Sequence, residues 1–347
     1  MSFEVKDLSI SYRIGNNWRP VVTDVSFSIS NGEVLGIVGE SGCGKTTLAR
    51  ALLRLLPRNG RVDGGSVSID GTDMLAMSPR DFRAIQWDRI SMVFQGAMNV
   101  LDPVYQVGRQ ITEAIRIHRP KMSRKEVWAQ AEALLASVGI ERERARAYPH
   151  ELSGGMKQRV GIAMAMALTP DLVVADEPTT ALDVVTQDTV LAALTSMQKA
   201  NGFSMILVSH DMGVIAETCD RVAVMYAGKI VEMGTVRQIF KQPSHPYTIG
   251  LINAIPEVSA KRTAVSIPGH PPSDLGALSG CRFADRCPFR AAKCSQPPPF
   301  VELGPGHRDR CHFPELRETF REKGRLATTW EQVGERLMSW MGGGEEI

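Results

Sequence analysis

Val34-Leu35-Gly36-Ile37-Val38-Gly39-Glu40-Ser41-Gly42-Cys43-Gly44-Lys45-Thr46 is the stretch that decides the fold. Its first five residues are apolar without alternation, as in a strand buried on both faces. A G-x-x-x-x-G-K-T run follows at once, and Thr46 to Leu56 reads as a helix stopped by Pro57. A strand, a glycine-rich loop and a helix in that order make a phosphate cradle. The glycines allow close backbone approach, while loop amides and the helix N-terminus favour negative charge. Lys45 is then placed for the β- and γ-phosphates of a nucleotide and the Thr46 hydroxyl for Mg²⁺. Gly39, Ser41, Gly42, Cys43, Gly44 and Thr47 line the cradle.

Working outward, Val5 to Tyr12 and Val25 to Ile29 alternate apolar and polar like half-buried strands, and Gly64 to Gly71 is a strand bounded by turn residues. Helical texture runs from Ile90 to Tyr148, strongest at Val107 to His118 and Ser123 to Val138. Strands return at Leu172 to Ala175, Ser204 to Val208 and Val222 to Tyr226, with helices at Gln187 to Lys199 and Met212 to Glu217 between them. This alternation implies an α/β fold with a largely parallel sheet covered on both faces. Leu172-Val173-Val174-Ala175-Asp176-Glu177 delivers two acids at the C-terminal end of a buried strand, the edge where open α/β sheets bind ligands. Asp176 is suited to Mg²⁺ and Glu177 to activating a water, since phosphoryl transfer needs mainly positioning and charge stabilisation.

The segment Leu152-Ser153-Gly154-Gly155-Met156-Lys157-Gln158 begins another helix, whose amides and dipole offer a second anion site. With the phosphate loop, this start resembles the signature of ABC transporter nucleotide-binding subunits. Met156 departs from the commoner glutamine of L-S-G-G-Q, while the serine and both glycines remain. The resemblance implies a P-loop core, an antiparallel β subdomain and a helical subdomain. It also implies a head-to-tail pair in which Ser153, Gly154 and Gly155 cap the partner's ATP. By the same resemblance Gln95 is the Q-loop glutamine near Mg²⁺, His210 the switch histidine, Ala181-Leu182-Asp183 the D-loop, and Tyr12 the adenine-stacking aromatic, with Trp18 as runner-up.

Beyond Thr235 the texture changes, and nine of the 20 prolines fall between Pro268 and Pro314. Such density prevents long regular elements and calls for a staple. Gln242-Pro243-Ser244-His245-Pro246-Tyr247-Thr248, with Ala254-Ile255-Pro256, is similar to the hallmark of oligopeptide/dipeptide/nickel importer ATPases. Of the six cysteines, Cys281, Cys287, Cys294 and Cys311 cluster in this region. In a reducing compartment such clustering favours a metal over disulfides. Four thiolates suit Zn²⁺ or an iron–sulfur centre, with His307 and His312 as substitute ligands. Resemblance to dipeptide-importer ATPases implies a [4Fe-4S] cluster. The expected organisation is residues 1–90 (β subdomain and P-loop core), 91–168 (helical subdomain), 169–235 (second part of the core), 236–325 (importer C-terminal domain) and 326–347 (tail).

The bulk numbers limit the alternatives. A net charge of +2 argues against a dedicated nucleic-acid binder, and no apolar run approaches the length of a membrane span. Glu4, Lys6 and Asp7 stand where a signal peptide would carry its apolar core. The expected location is peripheral, on the cytoplasmic face of the inner membrane. The expected partners are two permease subunits and a second ATPase subunit, homologous or identical, with a solute-binding protein engaged indirectly. A soluble ABC ATPase acting on nucleic acid or ribosomes is the rival class. A purely structural metal-binding adaptor would lack the hydrolytic residues, and none is missing.

Overall fold

A computed structural model describes residues 1–96, 100–180, 182–255, 265–272 and 274–342. The chain begins with β1 (Phe3–Ile14), β2 (Asn17–Ile29), β3 (Val34–Val38), α1 (Lys45–Leu52), β4 (Gly60–Ile69), β5 (Thr72–Asp73), α2 (Pro79–Ile85) and β6 (Ile90–Val93). It continues through α3 (Val107–His118), α4 (Arg124–Ser137), α5 (Gly154–Ala165), β7 (Leu172–Asp176), α6 (Val184–Asn201), β8 (Ser204–Val208), α7 (Met212–Thr218), β9 (Arg221–Tyr226) and β10 (Lys229–Thr235). The last elements are α8 (Val236–Lys241), α9 (Pro246–Asn253), β11 (Val301–Gly304), β12 (His307–Asp309), α10 (Arg317–Gly324) and α11 (Ala327–Gly342).

Two sheets result. The smaller is antiparallel, in the order β2-β1-β4-β5; the larger runs β11-β12-β10-β9-β3-β8-β7-β6. Within the larger, β9, β3, β8, β7 and β6 are mutually parallel. Alternation along the parallel strands divides the core in two. Leu35, Ile37, Val174, Ile206 and Val208 join Phe3, Leu8, Leu48 and Leu52 beneath the small sheet and α1. Val34, Val38, Val173, Ala175, Met205 and Leu207 join Ile111, Leu135 and Val160 of the helical layer. Each such side chain, fully buried, contributes about 1.5–3 kcal/mol, so one strand anchors two layers at once.

Several boundaries differ from the sequence reading. α1 ends at Leu52, not Leu56, because Arg54 takes a left-handed conformation (φ 55°) and the Leu55 amide turns back onto the Arg50 carbonyl at 2.8 Å. α4 matches its periodicity and carries a capping box between Ser123 and Glu126. The proline-rich C-terminal region is not built apart from the core: its β11–β12 hairpin extends the large sheet through pairing of Glu232 with Asp309 and Met233 with Arg308. In the tail, α11 buries Trp330 and Val333. Ala181 of the D-loop, Pro256 of the importer hallmark and residues 343 and 344 of the terminal glycine run lie outside the described residues. Among the described residues, no helix is long and apolar enough to cross a membrane.

Candidate active site

Four neighbouring parallel strands, β3, β8, β7 and β6, end on one edge of the large sheet, and each delivers part of the site just beyond its C-terminus. β3 leads into the phosphate loop. Gly39 has φ 154°, and a Cβ there would lie 2.0 Å from the Met225 carbonyl oxygen, so only glycine lets the loop pass β9. Lys45 is 5% exposed, and its Nζ donates to the carbonyls of Gly39 (2.7 Å) and Glu40 (3.1 Å). The ammonium is thus held inside the cradle. Cys43 is buried with its sulfur 3.9 Å from Lys45 Nζ, and burial raises its thiol pKa.

β7 ends at Asp176, which is 1% exposed and accepts a hydrogen bond from Thr46 Oγ1 at 3.1 Å. Burial raises the Asp176 pKa, opposed by that Thr46 bond. These two converging oxygen donors fit a hard cation such as Mg²⁺. Glu177 follows in the left-handed region (φ 44°), an uncommon conformation for a non-glycine residue. Its amide donates to the Val208 carbonyl at 2.9 Å, which turns its side chain toward the end of β8. Glu177 Oε2 accepts from Gln95 Nε2 (3.1 Å) and Thr180 Oγ1 (2.7 Å), and lies 3.5 Å from His210 Nδ1. Gln95, Glu177 and His210, drawn from three strand ends, therefore meet around one carboxylate.

The signature stands at the head of α5, in the helical layer. Ser153 is its N-cap and accepts from the Met156 amide at 3.3 Å. Gly154 opens the helix, and Gly155 packs on α6: a Cβ there would lie 2.2 Å from Thr186 Cγ2. Met156, the departure from the usual motif, packs its side chain on the helical-layer core. Asp183 caps α6, accepting from the Thr186 amide (3.0 Å) and hydroxyl (2.8 Å). Those hydrogen bonds, the amide's first, lower its pKa. Beside it Val184 and Val185 are 73% and 76% exposed, a pair of apolar side chains with no cover from this chain's core. Tyr12 is half-buried near the end of β1, its ring close over Gly60, while Trp18 is exposed with the Arg61 guanidinium 4.0 Å above it.

In the C-terminal region, Cys281, Cys287, Cys294 and Cys311 all line one small cavity of about 20 Å³, with His245, Phe283, Phe289 and Phe313 around them. Burial raises the thiols of Cys281 (to about 11), Cys311 (to about 12) and Cys287. The donor chemistry suits Zn²⁺ or an iron–sulfur centre. The geometry is not that of a formed site: among the described residues no group of three or more Cys, His, Asp or Glu is placed to hold a metal ion. The expected [4Fe-4S] ligand set is thus gathered but not closed, because the sulfurs surround a void rather than a point. His307 is not among them; its Nε2 meets the buried Glu232 at 2.8 Å. His312 lines the cavity, yet its Nε2 is bonded to the Gln296 carbonyl at 2.9 Å.

Sequence reasoning missed the residues that organise this end. Glu232, wholly buried, accepts from the amides of Ser244 (2.8 Å) and His245 (2.9 Å) and so shapes the Ser-His-Pro-Tyr turn. The turn places Tyr247, whose hydroxyl accepts from the Glu40 amide at 2.9 Å. Arg286 forms a two-pronged ion pair with the Glu40 carboxylate. One signal was present in the sequence: an acid inside an anion-binding loop demands a cation nearby.

Comparisons with known proteins point to one family. Residues 22–180 match the model of the ABC transporter family, and residues 231–294 match the oligopeptide/dipeptide transporter C-terminal region. The chain is 44% identical to a Sinorhizobium fredii protein named "Probable peptide ABC transporter ATP-binding protein y4tR", over 89% of this chain and 93% of that one. It is 42% identical to the oligopeptide transport ATP-binding protein OppD of Escherichia coli, over 89% and 92% of the two chains. A dimeric structure of the ATP-binding cassette MJ0796, in a post-hydrolysis state with ADP and Pi, superposes with TM-score 0.61 at 28% identity, covering 68% of this chain and 99% of that one.

Proposed function

The chain belongs to the ABC transporter family as an ATP-binding subunit of the peptide/oligopeptide importer branch, and from that premise we propose that it powers uptake of short peptides from the cytoplasmic face of a membrane. The single observation that carries the mechanism is the meeting of Gln95, Glu177 and His210 beside the phosphate loop. Lys45 holds the β- and γ-phosphates. Thr46 and Asp176, with Gln95 nearby, would hold Mg²⁺, which would supply positive charge for phosphoryl transfer. Glu177 orients and deprotonates the attacking water, and His210 bonds the γ-phosphate. Tyr12 stacks on the adenine.

Two such chains, identical or homologous, pair head to tail. Ser153, Gly154 and Gly155 then complete the partner's ATP site through their helix N-terminus. The exposed Val184–Val185 pair beside the signature supports this pairing, as does the dimeric form of the MJ0796 relative. Closure of the pair drives two permease subunits supplied by an extracytoplasmic solute-binding protein, and hydrolysis resets it. The nucleic-acid reading has no support in the relatives.

The four cysteines are assigned to a metal centre that staples the proline-rich region, because all four line one cavity there. No catalytic step is routed through it. A visible absorption spectrum of anaerobically purified protein separates the cases: a brown, broad band supports iron–sulfur, bound zinc without colour supports Zn²⁺, and metal-free protein of full stability overturns the assignment. For the transport role, the chain captured from a detergent extract of its host should bring down two integral membrane proteins. Recovery of RNA or ribosomal proteins instead would contradict it.

A further inference from the structure

Two arginines from the cysteine-bearing segment support the phosphate loop from behind, Arg286 directly at Glu40 and Arg282 at one remove, through Ala227 beside Gly228. Arg286, adjacent to Cys287, donates through Nη1 and Nη2 to the two carboxylate oxygens of Glu40 at 2.6 and 2.9 Å. It is 4% exposed, and its other hydrogens go to the Tyr226 hydroxyl (3.3 Å) and the carbonyls of Pro268 (2.8 Å), Gly269 (3.2 Å) and Ile267 (3.4 Å). Every direction of the guanidinium is satisfied, so it is held rigidly. Arg282, adjacent to Cys281, donates to the Ala227 carbonyl and to Thr23 Oγ1 at 3.0 Å. The next amide along, Gly228, donates to the Cys43 carbonyl of the phosphate loop at 2.9 Å.

An acid in second position of a phosphate cradle repels the ligand that the cradle is built for. A bidentate guanidinium removes that repulsion and fixes the carboxylate's direction as well. The Tyr247 hydroxyl, bonded to the Glu40 amide, fixes the backbone at the same residue. None of these contacts touches Glu177 or His210.

We propose that Arg286 and Arg282 are positioning residues for nucleotide binding, so that the cysteine-bearing segment is the rear wall of the phosphate loop. Order in that segment is read out as nucleotide affinity rather than as the rate of hydrolysis. The inference concerns the loop's support and not the hydrolytic assignments, so the two fail separately.

The test is equilibrium titration of the full chain with a fluorescent ATP analogue and Mg²⁺, alongside turnover at saturating ATP. Arg286→Gln should weaken binding about tenfold, the scale of one lost charge-assisted hydrogen bond, because Glu40 then stands unpaired in the cradle. Adding Glu40→Gln to that variant should restore most of the affinity, which a merely structural role would not allow. Arg286→Lys should fall between, and saturating turnover should stay within about twofold, since the chemistry is untouched. Should Arg286→Gln not fold, Arg286→Lys and Tyr247→Phe carry the test, each expected to weaken affinity with folding intact. Unchanged affinity in folded variants, absence of rescue by Glu40→Gln, or a loss confined to saturating turnover would overturn the proposal. Lys45→Ala serves as the separate control: retained ATP binding there would sink the phosphate-loop reading itself.

Discussion

Gln95 Nε2 donates to Glu177 Oε2 at 3.1 Å, joining the loop after β6 to the end of β7. The same oxygen accepts the Thr180 hydroxyl at 2.7 Å, so the carboxylate is gripped from two sides. Thr180 lies within the strand-to-helix turn and Gln95 on a separate element. The grip is therefore made from two elements, the turn after β7 and the loop after β6. Thr180→Val keeps the shape and removes the bond from the turn. Turnover should fall about tenfold with KM for ATP little changed, as expected for loss of orientation rather than of ground-state binding. A rise in KM at unchanged turnover would assign Thr180 to binding instead.

Gly155 and Thr186 tie the signature helix to α6. A methyl group at Gly155 would meet Thr186 Cγ2 at 2.2 Å, while Cβ and Oγ1 of the same threonine are 3.6 and 3.8 Å away. Gly155→Ala should thus cost about 1–3 kcal/mol of overpacking, offset in part by up to about 1 kcal/mol of helix propensity. Thr186→Ser removes the offending methyl and keeps the hydroxyl bond to Asp183. Urea midpoints should show the double variant more stable than Gly155→Ala alone. Equal midpoints would show that α5 and α6 separate freely.

His245 caps α9, its Nδ1 accepting from the Tyr247 amide at 3.1 Å, and complete burial lowers its pKa to about 3. The folded ring stays neutral where the unfolded one takes a proton. Its contribution is therefore full above about pH 6.5 and falls toward acid by up to about 1.4 kcal/mol per pH unit. Asp309, raised by burial to about 6, acts in the opposite sense from there down to its unfolded value near 4, so the parent profile is flattened. His245→Asn keeps an acceptor at the cap and abolishes the titration. Relative to the parent, the variant should gain about 2 kcal/mol in urea stability between pH 7 and pH 5. A constant difference across that range would contradict a neutral buried ring.

Val184 and Val185 stand 73% and 76% exposed at the start of α6, the helix capped by Asp183. If they close against a second chain, Val185→Asp should leave the monomer's melting temperature unchanged. It should also abolish ATP-dependent dimers in light scattering. Dimers that persist would move the interface elsewhere.

Much of the catalytic edge is legible in the sequence because its determinants are local. Val107–His118 and Leu172–Asp176 are elements whose period and end residues specify them alone, and placing Asp176 and Glu177 in the site needs only the rule that parallel strands bind ligands at their C-terminal ends. What stays hidden is pairing across the chain. The β12–β10 register and the Arg286–Glu40 ion pair join residues far apart in sequence, and no periodicity announces them. Arg54 hides for a different reason. A left-handed arginine has no compositional mark, so α1 reads one turn too long. The cysteine set is legible as a cluster but not as a closed ligand shell, since cavity shape depends on the prolines and aromatics around it.

The central claim is that Glu177 is the residue that activates water in a site completed by a second chain. Glu177→Gln in the full chain, mixed with ATP and Mg²⁺, tests it by light scattering combined with phosphate release. The account predicts a stable dimer retaining ATP, with phosphate release reduced at least about a hundredfold, the scale of a lost general base. Phosphate release at the parent rate, or ATP held by a species that stays monomeric, would contradict it.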